Sequence, residues 1–364
     1  MNKGLGLDVY AHESDVVRTP PSKLPFVTIV IPCRNEEKHI ARCLDSILAN
    51  DYLEDSMEIL VLDGMSEDKT REIVADYEAR FTCIRLVDNP QRSIPAAMNV
   101  GIRNAKGDTI MKMDAHSIYQ RNHISLCVHY QEEYNATNVG GVWRMVPGSD
   151  TAAAQAIVLS MAHRFGSGNA RIKVGAGQPT WSDSVAFGCY RKELFSRIGL
   201  FDERLKGGSD MDMNVRIRAA GGKILLVPLV VVNYTADSDL KKFWKHNFAD
   251  GVWTSYVMKF GRKASCWRHW VPAAFVLSVF TTIALSALWP FLLWAAFGIV
   301  GIYAAASLAV SAQIAMRGKD FNQLFLLPAV FAARHVAHGC GVLFGLLLIV
   351  LPGEHWKGRR GSRK

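Results

Sequence analysis

Thr109-Ile110-Met111-Lys112-Met113-Asp114-Ala115-His116 reads as a buried strand that ends in an acid and an imidazole. Alternate residues of a strand point the same way, so Asp114 and His116 are expected to face one ligand beyond the strand's carboxyl end. An oxygen donor and a nitrogen donor two residues apart suit a divalent cation that holds a diphosphate. A strand followed by an ordinary polar turn has the same local pattern, so the neighbouring stretches decide.

Upstream, strand-like and helix-like runs alternate. The run from Phe26 to Ile31 is rich in β-branched residues and stops at Pro32, as a buried strand does. A polar loop, Cys33 to Glu37, leads to a helix predicted from Glu37 to Ala49, with Ile40, Leu44, Ile47 and Leu48 on one face. A second strand, Glu58 to Leu62, ends in Asp63-Gly64-Met65-Ser66-Glu67-Asp68-Lys69-Thr70, where Ser66 or Asp68 can cap the next helix. A third, Cys83 to Val87, runs into the loop Asp88 to Arg92, and a helix carrying Ala97, Gly101, Ile102 and Ala105 precedes Thr109. This alternation predicts an α/β fold with a mostly parallel central sheet and right-handed crossovers. Ligands bind such sheets beyond the carboxyl ends of the strands, where Arg34, Asp63, Arg92 and Asp114 all fall. Singly, Asp63 is as well explained by shaping the Asp-Gly turn, and Arg34 with Glu36 by a solvated pair. Their shared location makes the case for one site.

Downstream, Asn138 to Met145 reads as a strand and Thr151 to Arg164 as a helix. Gly166 to Gly177 is glycine-rich and is expected to be a mobile loop; it lacks the Gly-Lys-Ser or Gly-Lys-Thr of a P-loop. In Gly207-Gly208-Ser209-Asp210-Met211-Asp212 two acids open a helix that continues to Ala220. Capping electrostatics alone favour acids there, but a helix start is also open to a cleft. Ile224 to Val232, interrupted by Pro228, is predicted to be an edge strand.

Of 364 residues, 42 are Lys or Arg and 33 Asp or Glu, a net charge of +9. The sequence shows no zinc spacing, basic heptad region or aromatic RNA-binding motif, so nucleic acid is not the expected partner. Part of the excess flanks apolar segments, at Arg262, Lys263, Arg268 and Lys357 to Lys364, which favours a membrane surface. The seven cysteines form no CxxC pair, and a reducing compartment fits them. No secretory signal peptide is expected in the first 25 residues. Leu240 to Lys259 mixes Phe243, Trp244, Phe248, Trp253 and Tyr256 with lysines, as does a helix lying in a membrane interface. Trp270 to Leu288 and Phe291 to Ala315 are uncharged and each long enough to span, since about 20 residues cross a bilayer. Trp289-Pro290 would be the turn between them, and the flanking cations place both outer ends in the cytoplasm. The third apolar run, Leu324 to Leu351, contains Pro328, Arg334, His335 and His338, and both a crossing and a re-entrant course remain open for it. The expected divisions are a lead-in (1–25), a catalytic domain (26–237, split into a nucleotide-binding half 26–116 and an acceptor half 117–237), an interface helix (238–268), membrane segments (269–352) and a basic tail (353–364).

With these stretches assembled, the chain resembles the family-2 glycosyltransferases of the GT-A, Rossmann-like fold. It is most similar to bacterial membrane-anchored members that extend lipid-linked exopolysaccharide precursors, such as succinoglycan glucosyltransferases. Four motifs carry the resemblance: Val27 to Glu37, Val61 to Thr70, Asp114-Ala115-His116 and Gly207-Gly208-Ser209-Asp210. It implies that Asp63 contacts the nucleotide base and that Asp114 is the first acid of an Asp-x-Asp metal motif. His116 stands where the second, metal-binding acid is usual. Asp210 matches the catalytic base, with Ser209 in place of the acid that usually precedes it. Pro32, Arg34, Glu36, Asp63, Arg92, Lys112 and Asp114 are the implied donor-binding residues. Mn²⁺ or Mg²⁺, held by Asp114 and His116, is the implied cofactor. The Gln-x-x-Arg-Trp motif of processive synthases is absent.

The implied activity is inverting hexosyl transfer at the inner (cytoplasmic) membrane, with the catalytic domain facing the cytoplasm. The sugar would move from a nucleotide-diphosphate donor, a UDP-sugar foremost, to a polyprenyl-diphosphate-linked saccharide. Such transfer needs charge stabilisation on the leaving diphosphate, a base for the acceptor hydroxyl and exclusion of water. Transfer to polyprenyl phosphate itself, or a non-catalytic sugar-nucleotide-binding subunit, are the alternatives. His116 and Ser209 keep the last of these open and Asp210 argues against it.

Overall fold

The computed structural model describes residues 24–168, 170–205, 207–260 and 267–351. Most of the expected lead-in, Arg262, Lys263, Cys266 and the basic tail lie outside the described residues.

The alternation read from the sequence is present as β1 (Val27–Cys33), α1 (Ile40–Leu48), β2 (Met57–Asp63), α2 (Thr70–Arg80), β3 (Ile84–Asp88), α3 (Ile94–Asn104) and β4 (Thr109–Lys112). Next come α4 (His123–Glu133), β5 (Asn138–Val146), α5 (Ala152–Ala162), α6 (Arg164–Ser167), α7 (Arg171–Val174), β6 (Thr180–Trp181), β7 (Ala186–Arg191), α8 (Glu193–Ile198), α9 (Ser209–Ala219) and β8 (Ile224–Thr235). The chain continues with α10 (Leu240–Tyr256), α11 (Val271–Leu285), α12 (Leu292–Gly318) and α13 (Asn322–Val350).

The strands form one sheet in the order β3-β2-β1-β4-β7-β5-β8-β6. The pairings of β1 with β2, β2 with β3 and β1 with β4 are parallel, as expected. Beyond β4 the sheet turns antiparallel, through β7 against β4 and β5, and β6 against β8. The sheet is therefore mixed, a correction to the mostly parallel expectation. The crossover helices α1 to α3 demand parallel neighbours only for the first four strands. β1, β2 and β4 are buried along most or all of their length, which is why they lack polar alternation. Gly101 lets α3 lie against β1: a Cβ there would stand 2.5 Å from Val30 Cγ1.

β8 is not the outermost strand, a second correction. The two-residue β6 covers it, but only at Leu225 and Leu226. Pro228 lies past that cover, where a missing N–H is tolerated.

The described chain divides into two compact units. An α/β unit falls within Val9–Arg144 and Gly175–Tyr234, and an apolar unit within Met145–Val174 and Thr235–Lys364. This differs from the continuous domain expected over 26–237, because Met145–Val174 is grouped with the apolar helices. The reason is local. Phe165 and Gly166 offer their carbonyls to His335 and Arg334 of α13. The same contacts correct the expectation of a mobile loop over Gly166 to Gly177. Much of that segment forms α6 and α7, and Gly166 is packed, since a Cβ on it would stand 2.0 Å from the Ser160 carbonyl oxygen. Gly168 takes the left-handed conformation, φ 57°, that ends α6.

Within the apolar unit three helical stretches, Trp267–Leu285, Leu292–Gly318 and Asn322–Val350, are long and apolar enough to cross a membrane. α11 and α12 form the expected hairpin and expose Phe280, Trp294, Phe297 and Ile302, side chains that water does not stabilise. α13 runs through Pro328 as one continuous helix. α10 packs along α13 through glycines on both helices. A Cβ on Gly251 would stand 2.2 Å from the His338 carbonyl oxygen, and one on Gly341 the same distance from that of Phe248. Close approach of this kind is how helices associate where the hydrophobic effect between them is weak. Gly341→Val is expected to force α10 and α13 apart and cost about 3 kcal/mol. Thermal melting of the detergent-solubilised full chain checks this.

Candidate active site in the alpha/beta unit

Because β1 to β4 are parallel, their carboxyl ends share one edge of the sheet. Cys33 is in register with Asp63, Asp63 with Asp88, and Val30 with Lys112. The loops that follow are tied together by polar contacts. The Asn35 amide, held at φ 55°, donates to Ser66 Oγ at 2.9 Å, and the Glu67 amide donates back to Asn35 Oδ1 at 2.9 Å. The Glu36 amide donates to Thr70 Oγ1 at 2.8 Å, and the Glu37 amide to Asp68 Oδ2 at 3.2 Å. Burial works against ionisation of Asp68, but hydrogen bonds from Thr70 and the Glu37 amide hold its carboxyl below the usual range.

Asp63 is fully buried at the end of β2. Its carboxylate accepts the Ser66 amide at 3.0 Å, the Ser66 hydroxyl, and Arg71 Nη1 at 2.6 Å. Arg71 also reaches Asp88 Oδ1 at 2.8 Å, so it joins the ends of β2 and β3. These bonds make Asp63 a framework residue of the loop, whatever it contributes to a ligand. Asp63→Ala is therefore expected to destabilise the fold by about 2 kcal/mol, below the usual cost of breaking a buried pair because Arg71 is partly exposed. Nucleotide affinity should fall in parallel. Melting temperature and calorimetric affinity, measured together, check both; intact affinity would remove Asp63 from the donor site.

Arg34 and Arg92 are half-exposed and stand 3.8 and 3.9 Å from the same oxygen, Glu67 Oε1. Arg92 holds φ 54°, a conformation costly for a side chain with a Cβ and often found beside ligands. At these lengths Glu67 costs the arginines little to leave when a phosphate offers better geometry.

The opening stretch differs from its expected form. β4 ends at Lys112, so Asp114 and His116 stand on a turn and not on alternate positions of a strand. The Ser117 amide closes that turn on the Asp114 carbonyl at 3.2 Å. Tyr119, almost completely buried, pins it: its hydroxyl accepts the Asp114 amide at 2.7 Å and faces the Asp114 carbonyl at 3.3 Å. His116 Nδ1 lies 3.3 Å from Glu36 Oε1, which brings the loops after β1 and β4 together. The structure thus brings His116 to Glu36, with Asp114 two residues earlier on the same turn. Among the described residues no three His, Cys, Asp or Glu side chains form a ready metal cage. One carboxylate and one imidazole beside a second carboxylate still fit a cation that is completed by diphosphate oxygens and water. They do not fit a closed structural site.

Lys112 is the last residue of β4 and its side chain is buried, yet its ammonium reaches Asp210 Oδ2 at the start of α9. Asp210 stays half-exposed, and among the described residues its Oδ1 has no hydrogen-bond partner. Gly208, at φ 70°, sets the turn that starts α9 there. Asp212 differs: it is buried and held by Arg216 at 2.9 Å. An ion pair within its own helix therefore accounts for Asp212, whereas the partner of Asp210 lies on β4. Pro32 lies within β1, beside Leu62 in register, and offers the site rigidity more than contact.

The matches to known proteins fall on this frame. Residues 28–199 match the model of glycosyl transferase family 2. The chain carries a family-2 glycosyltransferase domain. The succinoglycan biosynthesis protein ExoA of Rhizobium meliloti is 26% identical over 86% of this chain and 92% of its own. A dolichyl N-acetyl-α-D-glucosaminyl phosphate 3-β-D-2,3-diacetamido-2,3-dideoxy-β-D-glucuronosyltransferase of Methanococcus voltae is 29% identical over 65% of this chain and 75% of its own. Among solved structures, the mannosyltransferase PcManGT of Pyrobaculum calidifontis, bound to GDP-mannose and Mn²⁺, superposes with a TM-score of 0.58. It is 20% identical over 89% of each chain, and its likeness supports the GT-A-like fold of this glycosyltransferase.

Proposed function

We propose that this glycosyltransferase moves a sugar, with inversion, from a nucleotide diphosphate to a saccharide carried on a membrane lipid. The observation that carries the reading is Asp210. It is an acid at a helix start, held by the last residue of the strand that leads to Asp114, and left half-exposed. Asp210 takes the proton of the acceptor hydroxyl as the new bond forms. A single base on the acceptor side, with no second carboxylate acting as nucleophile, gives a one-step displacement and therefore inversion. Lys112 fixes the Asp210 carboxylate in direction, and Arg34 and Arg92 are placed to receive the leaving diphosphate. A divalent cation on Asp114 and His116, when bound, supplies positive charge against that diphosphate. Asp63, Ser66 and Arg71 keep the nucleotide-side loop in shape.

The lipid-linked acceptor is supported by the apolar helices and by the relatives, a succinoglycan biosynthesis protein and a dolichyl-phosphate-linked transferase. With α11 and α12 crossing the inner membrane as a hairpin, Arg317 and Lys319 favour a cytoplasmic catalytic unit. The test is incubation of membranes containing the protein with radiolabelled UDP- and GDP-sugars and extracted lipid acceptors. Label is expected in a product larger than a lipid-phosphate monosaccharide. Label appearing only as a lipid-phosphate monosaccharide would select polyprenyl phosphate as acceptor instead.

A further inference from the structure

α13 is 29 residues long, and its own composition is compatible with crossing a membrane. Its neighbours point elsewhere. Any stretch of about 20 residues taken from it as a crossing contains Phe331 to Gly341. Whatever packs against Phe331 to Gly341 would therefore lie inside the bilayer with it.

The turn at Phe165 and Gly166 packs there, through its two carbonyls on His335 and Arg334. Arg164, the residue before that turn, is exposed. α10 packs there too. Gly251 lies on the His338 carbonyl and Gly341 on that of Phe248, so the 245–251 part of α10 runs beside the 338–341 part of α13. That part of α10 carries an exposed Lys245, and the side chains of His246 and Asp250, 3.6 Å apart, are 42% and 58% exposed. One turn earlier, Lys241 is exposed, and so is Lys242 although it stands 3.8 Å from Asp239. Charged side chains that face hydrocarbon are costly, and pairing does not remove the cost while the pair stays exposed. α11 and α12 differ, since Arg317 at the end of α12 is the one Asp, Glu, Lys or Arg within them. Of the apolar stretch in each of these two, 11% is buried in the protein, against 39% in α13.

α13 still needs lipid. Phe325 and Val350, 78% and 82% exposed, share one stripe of the helix with exposed Ala329 and Leu347. One apolar stripe, on a helix whose neighbours carry exposed charge, is the pattern of a helix set into a membrane surface. Trp244, 39% exposed among Lys241, Lys242 and Lys245, suits the headgroup layer of the same surface.

We propose that α13 lies along the membrane surface without crossing it, with α10 beside it and the stripe from Phe325 to Val350 set into lipid. The partner of this face is the leaflet that receives the outer ends of the α11–α12 hairpin. Two crossings then return the end of α13 to the side of Arg317 and Lys319, which agrees with the positive-inside tendency of the Lys- and Arg-rich sequence after it. This placement uses the hairpin of the reading above and is independent of the sugar chemistry.

Two measurements on the full chain test it. In the first, alkaline phosphatase or green fluorescent protein is fused after Lys364 in a bacterial inner membrane, and phosphatase is inserted separately between Leu288 and Trp289. Fluorescence without phosphatase activity is expected after Lys364, and phosphatase activity at the α11–α12 turn. In the second, a spin label is carried by an unnatural amino acid in place of Phe325, Val336 or Leu347, which leaves the cysteines untouched. Its depth in nanodiscs is read from collisions with oxygen and a nickel chelate. The three labels are expected at one depth, about 5–10 Å into the headgroup and acyl boundary. A crossing would instead put the label at Val336 about 15 Å deep, near the bilayer centre, with the two outer labels shallow. Active phosphatase after Lys364, or a central label deeper than both outer ones, would overturn the proposal and leave the hairpin standing. Inactive phosphatase at the α11–α12 turn would refute the hairpin reading, and this placement with it.

Discussion

Asp210→Asn is expected to lower sugar transfer about 10²- to 10⁴-fold while donor binding and the fold persist. The amide fills the same space but cannot take a proton. The substitution also replaces an ion pair by a weaker contact to the Lys112 ammonium. Since Asp210 is half-exposed, that loss is about 1 kcal/mol and should not unfold the α/β unit. Single-turnover transfer with calorimetric donor affinity separates the two effects: the rate falls and the affinity stays. A near wild-type rate would remove Asp210 as the base and leave it only as the ion-pair partner of Lys112. Lys112→Met is the companion variant. It leaves Asp210 chemically intact but without the group that aims it, so kcat should fall about tenfold or more, with Lys112→Arg recovering part of it. Equal rates for wild type, Lys112→Met and Lys112→Arg would make the ion pair an incidental contact.

The strand–helix alternation was legible because burial leaves a pattern in sequence. Strands covered on both faces lose polar alternation, and Pro32, Asp63-Gly64 and Asp88 to Arg92 punctuate their ends. That was enough to place Arg34, Asp63, Arg92 and Asp114 on one edge. What remained hidden depends on residues far apart in the chain. Lys112 and Asp210 are 98 positions apart, and nothing local to either announces the other. Arg71 reads as an ordinary charged residue on α2, yet it decides how Asp63 is held. Tyr119 reads as core, yet its hydroxyl sets the Asp114 backbone. Its one sequence signal is a tyrosine following closely on an acidic turn, a weak one. The glycines at 166 and 168 were misread for a related reason. Glycine signals either freedom or close approach, and only the structure distinguishes them: the Ser160 carbonyl crowds Gly166, whereas Gly168 takes the left-handed turn that ends α6.

His116→Ala is expected to raise the Mn²⁺ concentration needed for half-maximal transfer about 10- to 100-fold. The alanine removes one of the two donors proposed on the turn after β4 and leaves Asp114, which Tyr119 continues to position through the backbone. The effect should therefore be a weakened cation site and not a collapsed one, and saturating Mn²⁺ should restore much of the rate. His116→Asp exchanges a nitrogen donor for an oxygen donor and should shift preference from Mn²⁺ towards Mg²⁺, the harder ion. It also sets a second carboxylate beside Glu36, now 3.3 Å from the imidazole, so the metal-free protein should be slightly less stable while the metal-bound protein recovers. A titration of transfer rate against each metal, together with Mn²⁺ binding followed by electron paramagnetic resonance, tests the set. If His116→Ala and wild type give superimposable curves, the imidazole serves only to join the loops after β1 and β4 through Glu36, and Asp114 is left as the protein's cation ligand on that turn.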